Sequence, residues 1–155
     1  MAGMLNSKSY ARNPKYPWLA CLEKKTFIFV GMNEQFTVDR NDRYTLIRVR
    51  AEKLDSTVSP ALKSELVVLN ADGVRNIIID LTDSRYCDSS GLSAILVANR
   101  LCKNSNGTFV ITALQEPVKK LISISQLDSI LNITGDLTSA IDMVVEEEVE
   151  RGNGE

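Results

Sequence analysis

Two adjacent serines, Ser89 and Ser90, stand between Asp88 and Gly91 in the stretch YCDSSGLSAIL (86–96), at the mouth of an apolar run. Serines in that position can attack as nucleophiles, accept a modifying group, or cap a helix. The nucleophile-elbow spacing G-x-S-x-G is not met, because Cys87 and Gly91 flank the pair. More decisively, the chain contains no histidine, so a Ser-His-Asp system cannot be assembled. No serine has a lysine three residues on, which removes the Ser-x-x-Lys substitute as well. A hydrolase built on Ser89 therefore lacks a base, and the expected class is not an enzyme.

Other chemistry is equally thin. The glycines are scattered, the only G-x-G lies in the terminal GNGE, and G-K-[ST] does not occur, so no phosphate cradle and no nucleotide cofactor is expected. Asp80, Asp83 and Asp88 cluster where carboxylates could hold magnesium, but turn formation and helix capping account for them more simply, and no metal is expected. Cys21, Cys87 and Cys102 are odd in number and widely spaced, which reads as reduced thiols in a cytoplasmic protein. A net charge of −2 provides no basic excess for a phosphate backbone, so nucleic acid is not an expected partner. No apolar run approaches the roughly 18 residues of a membrane span, and YPWLACL is short and followed by Glu23-Lys24-Lys25, so direct membrane insertion is not expected either.

The elements that must position the serine pair can be read from periodicity. Residues 1–31 carry five Lys or Arg against one acid and read differently from the rest. They are expected to be a basic extension, either disordered or an overextended start before Met32, with an extra strand from FIFV (27–30) as the alternative. Residues 32–145 form the expected domain, and 146–155 an acidic tail. NEQFTVDRNDRYTLIRVR suits a hairpin, with Thr45, Ile47 and Val49 on one face of its second strand. Ser59 is placed to cap a helix that Pro60 begins, Leu62, Leu66 and Leu69 form its stripe, and Gly73 stops it. VRNIIIDL (74–81) and TFVIT (108–112) are apolar on both faces, as buried parallel strands are. Between them a helix is expected from about Ser89 to Lys103, with one of Asp88, Ser89 and Ser90 as its cap. EPVKKLI opens a third helix, a short strand is expected around 130–133, and LTSAIDMVV a fourth helix. The order implies an α/β fold: a mixed sheet of about four or five strands with four covering helices.

Capping explains the residue types at DSSG but not the helix behind them. LSAILVA (92–98) is apolar around most of its circumference, so either the helix is unusually buried or its outer face meets a partner. CDSSGLSAIL after IIIDLTD, with YTLIRVRAEKLDSTVSPALKSEL before it and GTFVITALQEPVKKLISIS after it, resembles the STAS domain of bacterial anti-sigma factor antagonists over about residues 33–145. The resemblance implies a small STAS-like fold whose partners are an anti-sigma factor that is also a serine kinase, and an opposing serine phosphatase. It maps the phosphorylation site onto Ser89, gives Ser90 mainly a capping and contact role, and makes Gly91 the position that lets the partner approach. Partner contacts are expected from Asp88, Ser89, Ser90, Gly91, Leu92 and Ile95. An accessory subunit of a membrane transporter complex is the alternative that the fold does not exclude.

Overall fold

The computed structural model describes residues 35–153; the expectations for 1–31, FIFV included, lie outside them. Strands β1 (Phe36–Arg40) and β2 (Thr45–Val49) form the expected antiparallel hairpin, closed by the Asn41 amide donating to the Tyr44 carbonyl. Strands β4 (Ile77–Asp80), β6 (Phe109–Thr112) and β7 (Asn132–Thr134) then add in parallel, giving a five-stranded mixed sheet in the order β1-β2-β4-β6-β7. Two further strands of two residues each, β3 (Lys53–Leu54) and β5 (Tyr86–Cys87), pair in parallel as a separate ladder. Nothing in the sequence announces them, because two residues are too few to show a period.

The four expected helices are α1 (Ser59–Ala71), α2 (Ser89–Asn104), α3 (Glu116–Ile124) and α4 (Leu137–Asn153). Alternation along the strands divides them between the two faces of the sheet. Ile47, Ile77, Ile79, Phe109 and Ile111 point to one face and pack with Leu62, Leu66 and Leu69 of α1, Ile95 and Ala98 of α2, and Val118 and Ile122 of α3. The residues between them, Leu46, Ile78 and Val110, point to the other face and meet Ala140 and Val144 of α4. That is why the parallel strands read as continuous apolar runs: each has a helix layer on both sides.

Three local expectations need adjustment. Ser59 does not cap α1; it is the first helical residue, Val58 is the cap position, and the Ser59 hydroxyl instead donates to the Asp55 carbonyl at 2.7 Å. The Asp55 carboxylate holds the turn before the helix, accepting from the Thr57 amide at 3.0 Å, and α1 has no side-chain cap. The strand expected around 130–133 begins at Asn132, after a 3-10 turn over Leu127–Ser129. The acidic residues after 145 continue α4 as far as Asn153, because Glu147 accepts from the Thr108 hydroxyl at 2.6 Å and Arg151 reaches the Asn106 carbonyl.

Both long crossover helices are followed by a residue in the left-handed region. Gly73 has φ 88°, and the amides of Gly73 and Val74 return to the carbonyls of Asn70 and Leu69, a Schellman closure. At the end of α2 the left-handed residue is Asn106, with φ 59°, followed by Gly107. A side chain at 107 would meet the Arg75 carbonyl, so that glycine is required for space.

Candidate functional site

The cap of α2 decides what the two serines are free to do. Asp88 is extended, with φ −108° and ψ −172°, and its carboxylate accepts from the Gly91 amide at 3.0 Å. Its carbonyl takes the first helical hydrogen bond, from Leu92, at 3.0 Å. Asp88 is therefore the cap, and the capping role expected of Ser90 is not seen: neither serine hydroxyl has a hydrogen-bond partner among the described residues. Ser89 is exposed and Ser90 half-buried. Ser89 is the first residue of α2 and so sits at the positive end of the helix dipole.

The start of α2 is anchored on the β3–β5 ladder. Leu54 lies in register with Cys87, and the Leu54 carbonyl accepts the Asp88 amide at 3.3 Å. Behind it, the Arg85 amide donates to the Glu52 carbonyl at 2.8 Å, and the buried Ser84 hydroxyl donates to the Ala51 carbonyl at 2.8 Å. Tyr86, 51% exposed, stands three residues before Ser89 and opposite Lys53.

Of the residues expected to meet a partner, the structure brings Asp88, Ser89 and Ser90 together at the surface and sends the others inward. Ile95 is 0% exposed and belongs to the core; Gly91 and Leu92 are buried as well. Gly91 approaches the Leu54 carbonyl and the Cys87 sulfur, not open solvent, so the room it leaves is used by the protein itself. The surplus of apolar residues in 92–98 has the same cause: Val97 and Leu101 also pack against the core, next to the fully buried ring of Ala94, Ile95 and Ala98. What α2 leaves toward solvent is a narrower strip running from Ser89 through Ser93 and Leu96 to Arg100. Spacings of three and four residues place these on one face.

The neighbouring ionisable groups are occupied by local structure. Asp80 accepts from the Thr82 amide at 2.9 Å and pairs with Arg48 at 3.3 Å, while Asp88 is the cap. No group of three or more His, Cys, Asp or Glu able to hold a metal occurs among the described residues. Burial, aided by the adjacent Asp88 charge, pushes the Cys87 thiol up to about 12, and burial does the same to Cys102. Both are thiols, not thiolates, at neutral pH. A polar cavity of about 280 Å³ lined by Arg43, Tyr44, Arg75 and Asn76, among others, lies beside the β1–β2 turn, where β4 begins. Ser89 follows the opposite end of β4, so this cavity contains none of the candidate residues. Among the described residues no helix is long and apolar enough to cross a membrane.

The geometry thus defines an α/β domain that displays an exposed serine at the start of a helix capped by Asp88. A family model for the STAS domain matches residues 35–140, and the chain belongs to that family. It is 28% identical over 103 residues to an anti-sigma-B factor antagonist of Bacillus subtilis (strain 168), a match covering 66% of this chain and 93% of the relative. Among solved structures, an anti-sigma factor antagonist from Mycobacterium paratuberculosis superimposes with a TM-score of 0.63 at 22% identity, over 70% of this chain and 92% of that one. The Bacillus cell fate determinant SpoIIAA in its phosphorylated form superimposes with a TM-score of 0.58 at 21% identity, over 70% and 98%.

Proposed function

We propose that this protein is an anti-sigma factor antagonist switched at Ser89. Unphosphorylated, it binds an anti-sigma factor through Asp88, Ser89, Ser90 and the solvent strip of α2, and so frees a sigma factor. The anti-sigma factor is also a serine kinase. The Ser89 hydroxyl oxygen attacks the γ-phosphorus of ATP, the bond from that phosphorus to the ADP oxygen breaks, and the hydroxyl proton passes to a base on the kinase. A serine phosphatase restores the hydroxyl by hydrolysis. The role is binding, not catalysis.

The observation that carries this reading is that Asp88 alone caps α2, which leaves Ser89 exposed and without a structural task. The kinship with anti-sigma factor antagonists supports it. Phosphate at Ser89 adds about −1.5 to −2 charges. The helix N-terminus accommodates that anion, so the fold survives the modification. A partner surface fitted to the neutral hydroxyl beside Asp88 meets like charge that has lost its water, and it lets go.

The test is phosphorylation by the kinase that co-purifies with the wild-type protein from its host, with the phosphate located by mass spectrometry. Wild type and Ser90→Ala accept phosphate at position 89, and Ser89→Ala accepts none. Label on Ser89→Ala but not on Ser90→Ala would move the acceptor to Ser90, and no label on wild type would end the switch reading.

A further inference from the structure

We propose that Gly91 is a positioning residue for Ser89: it lets the first turn of α2 close onto the Leu54 carbonyl, and that contact fixes where the Ser89 hydroxyl is presented to a kinase. The inference rests on the reading of Ser89 as the phosphate acceptor and supplies the device that places it.

A Cβ at position 91 would lie 2.2 Å from the Leu54 carbonyl oxygen, 2.6 Å from the Cys87 sulfur and 2.9 Å from Leu54 Cγ. The nearest of these is backbone, so no change of rotamer relieves the clash. The same oxygen accepts the Asp88 amide. One carbonyl therefore touches the residue before the serine pair and the residue after it, and Ser89 and Ser90 project outward between two contacts to a single atom. That atom does not drift, because Leu54 is held in register with Cys87, and the Ser84 hydroxyl ties the segment behind it to Ala51.

A methyl at 91 requires the separation to grow from 2.2 Å to an ordinary contact of 3.4 Å or more. The first turn must retreat and carry Ser89 with it. Phosphoryl transfer needs the attacking oxygen in line with the γ-phosphorus, and a misplacement of about 1 Å costs up to roughly 100-fold in rate. Helix propensity acts in the opposite direction, since alanine is a better helix former than glycine. A slower transfer in Gly91→Ala is thus not the result of a weaker helix.

Two variants and two readouts test this. Gly91→Ala adds the methyl; Ser84→Ala loosens the strap beneath Leu54 without adding volume, and it decides the matter if Gly91→Ala does not fold. The first readout needs no kinase: amide chemical shifts and hydrogen exchange at Ser89 and Ser90, compared with those at the far end of α2. The second is transfer of labelled phosphate from ATP by a kinase fraction purified on its activity toward wild type, with circular dichroism confirming that each variant is folded. Both variants are expected to shift the Ser89 and Ser90 amides and leave Lys103 and Asn104 in place. Gly91→Ala should lower kcat about 10- to 100-fold with KM changed only a few-fold, and Ser84→Ala should lower it several-fold. A purely structural role would lower the melting temperature and leave kcat of the folded fraction intact. Unmoved amides, or wild-type kcat in folded Gly91→Ala, overturn the positioning role. Wild type that takes no label at Ser89 overturns the acceptor reading instead, and the amide readout keeps the two failures apart.

Discussion

Replacing Asp88 by alanine removes the only side-chain cap on α2 and leaves the Gly91 amide unpaired in a half-buried setting. Loss of a helix cap costs about 0.5–2 kcal/mol, and an amide left unsatisfied away from water pushes the figure toward the upper end. For a domain of this size each kcal/mol lowers the melting temperature by roughly 3–6 °C, so Asp88→Ala should melt about 5–10 °C below wild type. Asp88→Asn keeps an oxygen that accepts from Gly91 and should melt within about 2 °C of wild type, since Asn and Asp are equivalent caps. Ser89→Ala removes an exposed hydroxyl without a partner, and surface changes of that kind stay within about 0.5 kcal/mol. Thermal unfolding followed by circular dichroism at pH 7, with calorimetry to confirm two-state behaviour, orders the three variants. A melting temperature of Ser89→Ala as low as that of Asp88→Ala would refute the assignment of the cap, and with it the argument that Ser89 is left free for modification.

Three further outcomes follow from burial. Ile95→Ala should cost about 2–5 kcal/mol by opening a cavity beneath α2, whereas Leu96→Ala, on the half-exposed strip, should leave the denaturation midpoint nearly unchanged and weaken anti-sigma binding; equal midpoints for the two would contradict the orientation of α2. The Cys87 and Cys102 thiols are held up to about 12 by burial, so the folded state keeps protons that the unfolded state gives up; stability should be full below about pH 9 and decline as pH rises toward 12, and a Cys87→Ala/Cys102→Ala variant should show a shallower alkaline decline by urea titration. Burial likewise raises the Glu65 carboxyl, so its contribution favours the fold below about pH 4 and is lost as pH rises through the folded value; Glu65→Gln should gain stability over wild type at pH 7 and match it at pH 3.

The parts of this account legible in the sequence are those written in periodicity and turn chemistry. Ile77–Ile79 and Phe109–Ile111 could be read as strands because both faces are covered, and Gly73 as a stop because only its backbone suits the left-handed closure. The DSSG motif located the serine pair, but not which of its residues caps the helix. That choice depends on the extended backbone of Asp88, which in turn follows from the two-residue β3–β5 ladder, a feature too short to leave a pattern. For the same reason the close approach of Gly91 to Leu54 is not legible: a glycine in a helix does not say which neighbour comes close, and the Leu54 carbonyl lies thirty-odd residues away in the chain. That Ile95 lies in the core is not legible either, because an apolar stretch gives no direction until α1 and the sheet are in position around it.

The central claim is that a phosphate on Ser89 switches partner binding off, and it is tested most directly by one affinity ratio. Protein carrying phosphoserine at position 89 through genetic encoding, and the unmodified protein, are each titrated into the anti-sigma factor from the same host by isothermal calorimetry. The account predicts that the phosphorylated form binds at least about 100-fold more weakly, the equivalent of losing close to 3 kcal/mol to desolvated like charge. Equal affinities for the two forms would contradict it.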